Sequence, residues 1–107
     1  MIAVIFEVEP HPGLAGTYLA LAAELRSRLE KIEGFISIER FRSLADDNRM
    51  LSLSYWRDED AVRRWRELEA HRAAQREGRA RIFARYRLRV AEVLRDYGDS
   101  DRREAPR

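Results

Sequence analysis

The sequence predicts an α+β domain of the ferredoxin-like βαββαβ type, a four-stranded antiparallel sheet with both helices on one face. Three observations predict it. Period-two alternation marks four stretches, helical periodicity marks two, and they follow one another as strand, helix, strand, strand, helix, strand. That order is the split βαβ arrangement.

Met1 to Val8 sets Ile2, Val4, Phe6 and Val8 against Ala3, Ile5 and Glu7, a strand with two largely apolar faces. Pro10-His-Pro-Gly13 is turn chemistry and ends it, leaving His11 in an exposed loop. Leu14, Tyr18, Leu21, Leu25, Leu29 and Ile32 then recur at helical spacing. Gly34 is expected to take the left-handed position after that helix, with Phe35 folding back on its end. Phe35 to Arg42 reads as the second strand, and the polar turn Leu44 to Asn48 leads into the third, making an antiparallel hairpin. Leu51, Leu53 and Tyr55 alternate with Ser52, Ser54 and Trp56 in that third strand. Asp58 offers an N-cap, Glu59 and Asp60 suit the first helical turn, and Ala61, Val62, Trp65 and Leu68 share one face of the helix beyond. Gly78 weakens or ends this helix, and the segment from Ile82 to Leu94 alternates Tyr86, Leu88 and Val90 with Arg85, Arg87 and Arg89, a fourth strand. Residues 1–97 therefore form one domain, and the polar stretch 98–107 is expected to be disordered.

Composition narrows the function. The 107 residues suffice for one core, and no cysteine is present for disulfides, thiolate catalysis or thiolate metal binding. No apolar run is long enough to span a membrane and no signal peptide is recognisable, so a cytoplasmic location is expected. No metal site is expected, since His11 and His71 lie far apart without a close carboxylate pair. The net charge of +2 does not call for a polyanion. A surplus of arginine after His71 (Arg72, Arg76, Arg79, Arg81, Arg85, Arg87, Arg89 and Arg95 against Glu77 and Glu92) has no nucleic-acid motif and suits a charged edge strand. Two helices cover one sheet face only, and the other would expose apolar groups. A two-fold homodimer that closes the second face is therefore expected.

Gly34-Phe-Ile-Ser-Ile-Glu-Arg-Phe41, then Leu51-Ser-Leu-Ser-Tyr-Trp56, Trp65 and His71-Arg-Ala-Ala-Gln75 together resemble the antibiotic biosynthesis monooxygenase family of the dimeric α/β-barrel superfamily. The resemblance runs over roughly residues 1–96. It implies the fold above, a dimer, and a reaction from a family that includes cofactor-free oxygenases of polycyclic aromatic or quinol substrates and haem-degrading monooxygenases. The haem-degrading branch is similar at Trp65. It carries its axial histidine where this chain has Gln75, and a first-strand asparagine at or near Glu7. Glutamine is a poor iron ligand, so haem is disfavoured and no cofactor is expected.

At about 100° per residue Trp65 points inward, Gln75 nearly so, and His71 lies at the edge of the buried helix face. Trp65 either fills the gap between helix and sheet or walls a flat pocket. Tyr55, Trp56, Phe83 and Tyr86 are candidates for further aromatic walls. Glu7 stands out on an apolar strand. If buried it must be paired, with Arg40, Arg87 or Arg89, or protonated and able to act as a base. The leading expectation is a small cofactor-independent monooxygenase binding an aromatic or phenolic molecule between sheet and helix. Its catalytic residues would be His71, Trp65 and Glu7, its substrate contacts Arg40, Tyr55, Trp56, Gln75, Phe83 and Tyr86. The alternatives are haem degradation and a non-catalytic dimeric ligand-binding protein.

Overall fold

The computed structural model describes residues 1–73 and 82–106, with the side chains of 69–73 left aside. Its elements are β1 (Ile2–Pro10), α1 (Ala15–Leu29), β2 (Phe35–Arg42), β3 (Met50–Trp56), α2 (Glu59–Ala73) and β4 (Phe83–Glu92). The sheet order is β2-β3-β1-β4 with every neighbouring pair antiparallel, the ferredoxin-like topology expected from the sequence. The crossover through α1 leaves a gap between β1 and β2 that β3 fills.

Strand parity decides the chemistry of each face. Ile2, Val4, Phe6 and Val8 of β1 share their face with Met50, Ser52, Ser54 and Trp56 of β3 by direct pairing. This is the face the helices cover, so the serines of β3 point inward and are buried, while Leu51, Leu53 and Tyr55 point away. On β4, Tyr86, Leu88 and Val90 belong to the helix side and Arg85, Arg87 and Arg89 to the other. The register of β1 against β4 shifts between Glu9 and Pro10, where proline has no N–H to offer the ladder.

The core is in two parts. One gathers Ile2, Val4, Leu29, Trp56, Ala61 and Val62, with Ile32, Phe35, Ile38 and Trp65 packed against it. The other gathers Val8, Tyr18, Met50 and Ile82, with Phe6, Leu14, Leu21 and Phe83 alongside. Helix α1 supplies both, burying Tyr18, Ala22, Leu25 and Leu29 along one stripe.

The start of α2 is fixed from two sides. Asp58 caps it as expected, its Oδ1 accepting the Ala61 N–H at 2.9 Å. Gly34 takes a positive φ of 93° in a turn closed by the Phe35 N–H donating to the Ile32 carbonyl. It lies in this separate turn after α1, not at the residue directly following the helix cap. A Cβ at Gly34 would stand 2.6 Å from the Cβ of Ala61, so glycine is required for closeness as well as for φ. The Gly34 carbonyl also accepts the Arg57 N–H at 2.7 Å. Residues 98–106, expected to be disordered, carry turns and neither helix nor strand.

Gly34→Ala is expected to destabilise the fold by at least about 2 kcal/mol, from backbone strain and the clash with Ala61. Urea denaturation measures this, and adding Ala61→Gly should recover only the steric share. The Asp58 carboxyl is held below its ordinary value, first by the Ala61 N–H and then by the Arg57 guanidinium. Its folded pKa is depressed, so its contribution to stability is complete above about pH 4 and is lost as pH falls further. The thermal midpoint of Asp58→Asn should therefore decline less steeply than that of wild type between about pH 5 and pH 2.

Candidate functional site

Between the two parts of the core lies a cavity of about 390 Å³. Its floor is the sheet, its roof is α1 through Tyr18, Leu21, Ala22, Leu25 and Leu29, and Trp65 of α2 stands at one end. The space exists because the middle of the floor carries Ser52 and Ser54, while larger side chains on either side hold the helices off. At one end Trp56, 1% exposed, packs edge-on against Phe35 and is stacked by Trp65 with ring centroids 6.4 Å apart. At the other end Phe83 meets Phe6 and Tyr18 edge to face.

The polar atoms in this apolar space are few. The buried Trp56 Nε1–H donates to Ser54 Oγ at 2.9 Å, which satisfies the indole and orients it. Arg40 of β2 reaches the cavity, and its Nε is buried with no hydrogen-bond partner among the described residues. The described lining contains no carboxylate and no imidazole. Tyr86 and Leu88 line the space while remaining 70% and 50% exposed, which puts its mouth along β4. Among the described residues no group of three or more acidic, histidine or cysteine side chains could hold a metal ion, and no helix is long and apolar enough to cross a membrane.

This arrangement of sheet, helix pair and inward indoles coincides with a match, over residues 1–77, to the family model for antibiotic biosynthesis monooxygenases. The chain belongs to that family. A relative named jasmonate monooxygenase, from Pyricularia oryzae, is 46% identical over 87% of this chain and 43% of its own length. The chain spans about half the length of the curated relatives it matches. Among solved structures, SnoaB, a cofactor-independent oxygenase from Streptomyces nogalater, has a TM-score of 0.70 at 16% identity, covering 89% of this chain and 94% of that one. MhuD, solved with two manganese protoporphyrins per active site, has a TM-score of 0.72 at 22% identity, covering 92% and 99%. At these identities the structural likeness concerns the fold.

Set in this monooxygenase fold, the residues singled out from the sequence divide into three groups. Trp65, Arg40, Trp56, Phe83 and Tyr86 line the cavity together. Glu7 and Tyr55 do not, because their strand parity turns them to the opposite face. Glu7 is not buried: its side chain is 47% exposed, and its Oε1 accepts from Arg89 Nη1 at 3.1 Å, one of the partners the sequence offered for it. The side chains of His71 and Gln75 lie outside the described residues. Sequence reasoning passed over Ser52, Ser54, Phe6, Ala22 and Leu88, all of which line the space. A signal for Ser54 was present: a tryptophan buried at Trp56 needs an acceptor, and the hydroxyl two residues back on the same strand face is the nearest.

Ser54→Ala should leave the Trp56 indole N–H buried and unpaired, costing about 1–3 kcal/mol in chemical denaturation. Ser54→Thr, which keeps the acceptor, should cost clearly less.

Proposed function

We propose that the chain is a small monooxygenase that holds an aromatic or phenolic molecule in the cavity between sheet and helices and exposes it to dioxygen without a resident cofactor. The observation that carries this reading is the apolar chamber beside the stacked Trp56 and Trp65, inside a fold and family of monooxygenases. A flat ring suits the space, since indole faces and the rings of Phe6, Phe83 and Tyr86 offer stacking and edge contacts. For a phenol the balance is simple. Dioxygen gives one atom to the ring carbon and the other to water, two substrate hydrogens leave in that water, and the substrate supplies all four electrons in becoming a quinone. The protein contributes position, exclusion of water and removal of the phenolic proton, for which His71, on the same helix as Trp65, is the acceptor we assign. Glu7 has no part in this reading, being across the sheet and paired with Arg89.

Haem fits the described lining poorly. That lining offers iron no imidazole, thiolate or thioether, only the phenols of Tyr18 and Tyr86, and a single guanidinium, Arg40, for the propionates. No step is routed through it. The proposal includes a two-fold dimer formed on the helix-free face, where Ala3, Ile5, Leu51, Leu53, Tyr55 and Phe41 form an apolar centre and Glu7–Arg89 and Glu9–Arg49 ion pairs lie among or beside them.

Oxygen uptake with jasmonate and with a panel of phenols and quinols tests the reading. Under labelled dioxygen one labelled atom is expected in the product, with no added metal or haem. Trp65→Ala should lower kcat/KM at least about tenfold through loss of positioning. Absence of oxygen uptake with every compound, or a Trp65→Ala variant as active as wild type, removes the proposal.

A further inference from the structure

We infer that the ligand of this cavity is a monocarboxylate, its anionic end seated on Arg40 and its apolar body laid across the strands toward β4. The inference deepens the reading of the cavity as a substrate site and rests on that reading. It names a chemical class that an apolar chamber alone does not specify.

The sheet register supplies the first argument. Arg40 pairs with Ser52, Ser52 with Phe6, and Phe6 with Leu88, so these four residues form one row straight across β2, β3, β1 and β4. All four line the cavity. Read along the row, the floor passes from guanidinium to hydroxyl to phenyl to isobutyl. It spans three interstrand spacings, on the order of 14 Å. The gradient matches a molecule with one anionic end and an elongated apolar remainder.

The second argument is the state of Arg40. A guanidinium is always charged and carries its donors in a planar fork suited to carboxylate. Its Nε is buried without an acceptor among the described residues, so an anion in the cavity is met by the terminal Nη groups of the fork. No carboxylate among the described residues lines the space with it, so no side chain there competes for the site. The β2 edge carries this single cation of the described lining, half-buried, while the mouth along β4 is apolar. A ring compound with no anionic group would leave the guanidinium without a counter-charge, so the aromatic substrate proposed above carries a carboxylate. A dicarboxylate or a phosphate ester would have to bury a second charge against phenyl and leucine side chains.

The test compares 5-phenylpentanoate with its methyl ester, which have the same apolar body and differ in charge. Trp56 and Trp65 are the chain's only tryptophans and both face the cavity, so their emission reports on binding there alone, with calorimetry as a second readout. Wild type is expected to bind the carboxylate at least about tenfold more tightly than the ester. Arg40→Gln is expected to bind both with the affinity of the ester, and Ala22→Trp, which fills the roof, to bind neither. Equal affinities in wild type, or an Arg40→Gln variant that keeps the preference, overturns the inference and leaves the cavity as a ligand site. If neither compound binds, the inference falls with the reading of the cavity itself. If the carboxylate is preferred but no compound is oxygenated, the anion site stands and only the oxygenase chemistry falls. The wild-type comparison alone decides the matter should Arg40→Gln fail to fold.

Discussion

The site depends on a difference in side-chain height across one face of the sheet. Helices rest on whatever stands tallest beneath them, and on β3 the tall inward side chains, Met50 and Trp56, lie at its two ends. Trp56, with Phe35 and Trp65, props the fold at one end, and Tyr18, Phe83 and Met50 fill the other. Between them Ser52 and Ser54 leave the floor low, and α1 bridges over the gap. An ordinary strand of valines and isoleucines in β3 would close the space. Ser54 has two uses: it is short, and its hydroxyl accepts the indole N–H that burial of Trp56 would otherwise strand. The same residue pair thus opens the chamber and stiffens its wall.

The position of Trp65 follows from a separate constraint at the start of α2. The turn at Gly34 lets its backbone approach Ala61 more closely than any side chain would permit, and Ala61 is fully buried there. The Asp58 cap and the Arg57 N–H to Gly34 carbonyl bond fix where the helix begins. A helix fixed at its first turn has little freedom one turn later, and Trp65 falls there, its ring tilted 26° from that of Trp56. Loosening Gly34 would tilt the indole wall without altering a single residue that lines the cavity.

Much of this was legible in the sequence, and the parts that were not have physical causes. Element order came from periodicity, which burial enforces. The inward direction of Trp65 came from the helical wheel. Arg40, Trp56, Phe83 and Tyr86 line one cavity with it, though the faces of the strand aromatics could not be assigned beforehand. Glu7 misled because β1, being central, is apolar on both sides, so a charge on it suggests burial. Its parity with Ala3 and Ile5, against the stronger series Ile2, Val4, Phe6 and Val8, places it on the outer face. In β3 the usual rule inverts: the series that looks like core, Leu51, Leu53 and Tyr55, faces away from the helices, and the serines face in. Hydrophobic patterning finds packed cores, and a cavity floor is the place where a core is deliberately incomplete.

Parity also separates the charges of this sheet. The arginines of β4 that look like a basic surplus in the sequence stand opposite acidic residues of β1, with Glu7 paired in register to Arg87 and bonded to Arg89, and Glu9 in register with Arg85. All of this lies on the helix-free face. Had Glu7 shared the inner face, it would stand in the cavity two strands from Arg40, about 10 Å away, and repel any anionic ligand. Placed one residue out of phase, its carboxylate spends its charge on Arg89. The guanidinium of Arg40 keeps its own charge in a space with almost nothing else polar to answer it. In so apolar a chamber an unanswered cation favours a guest that brings it a carboxylate.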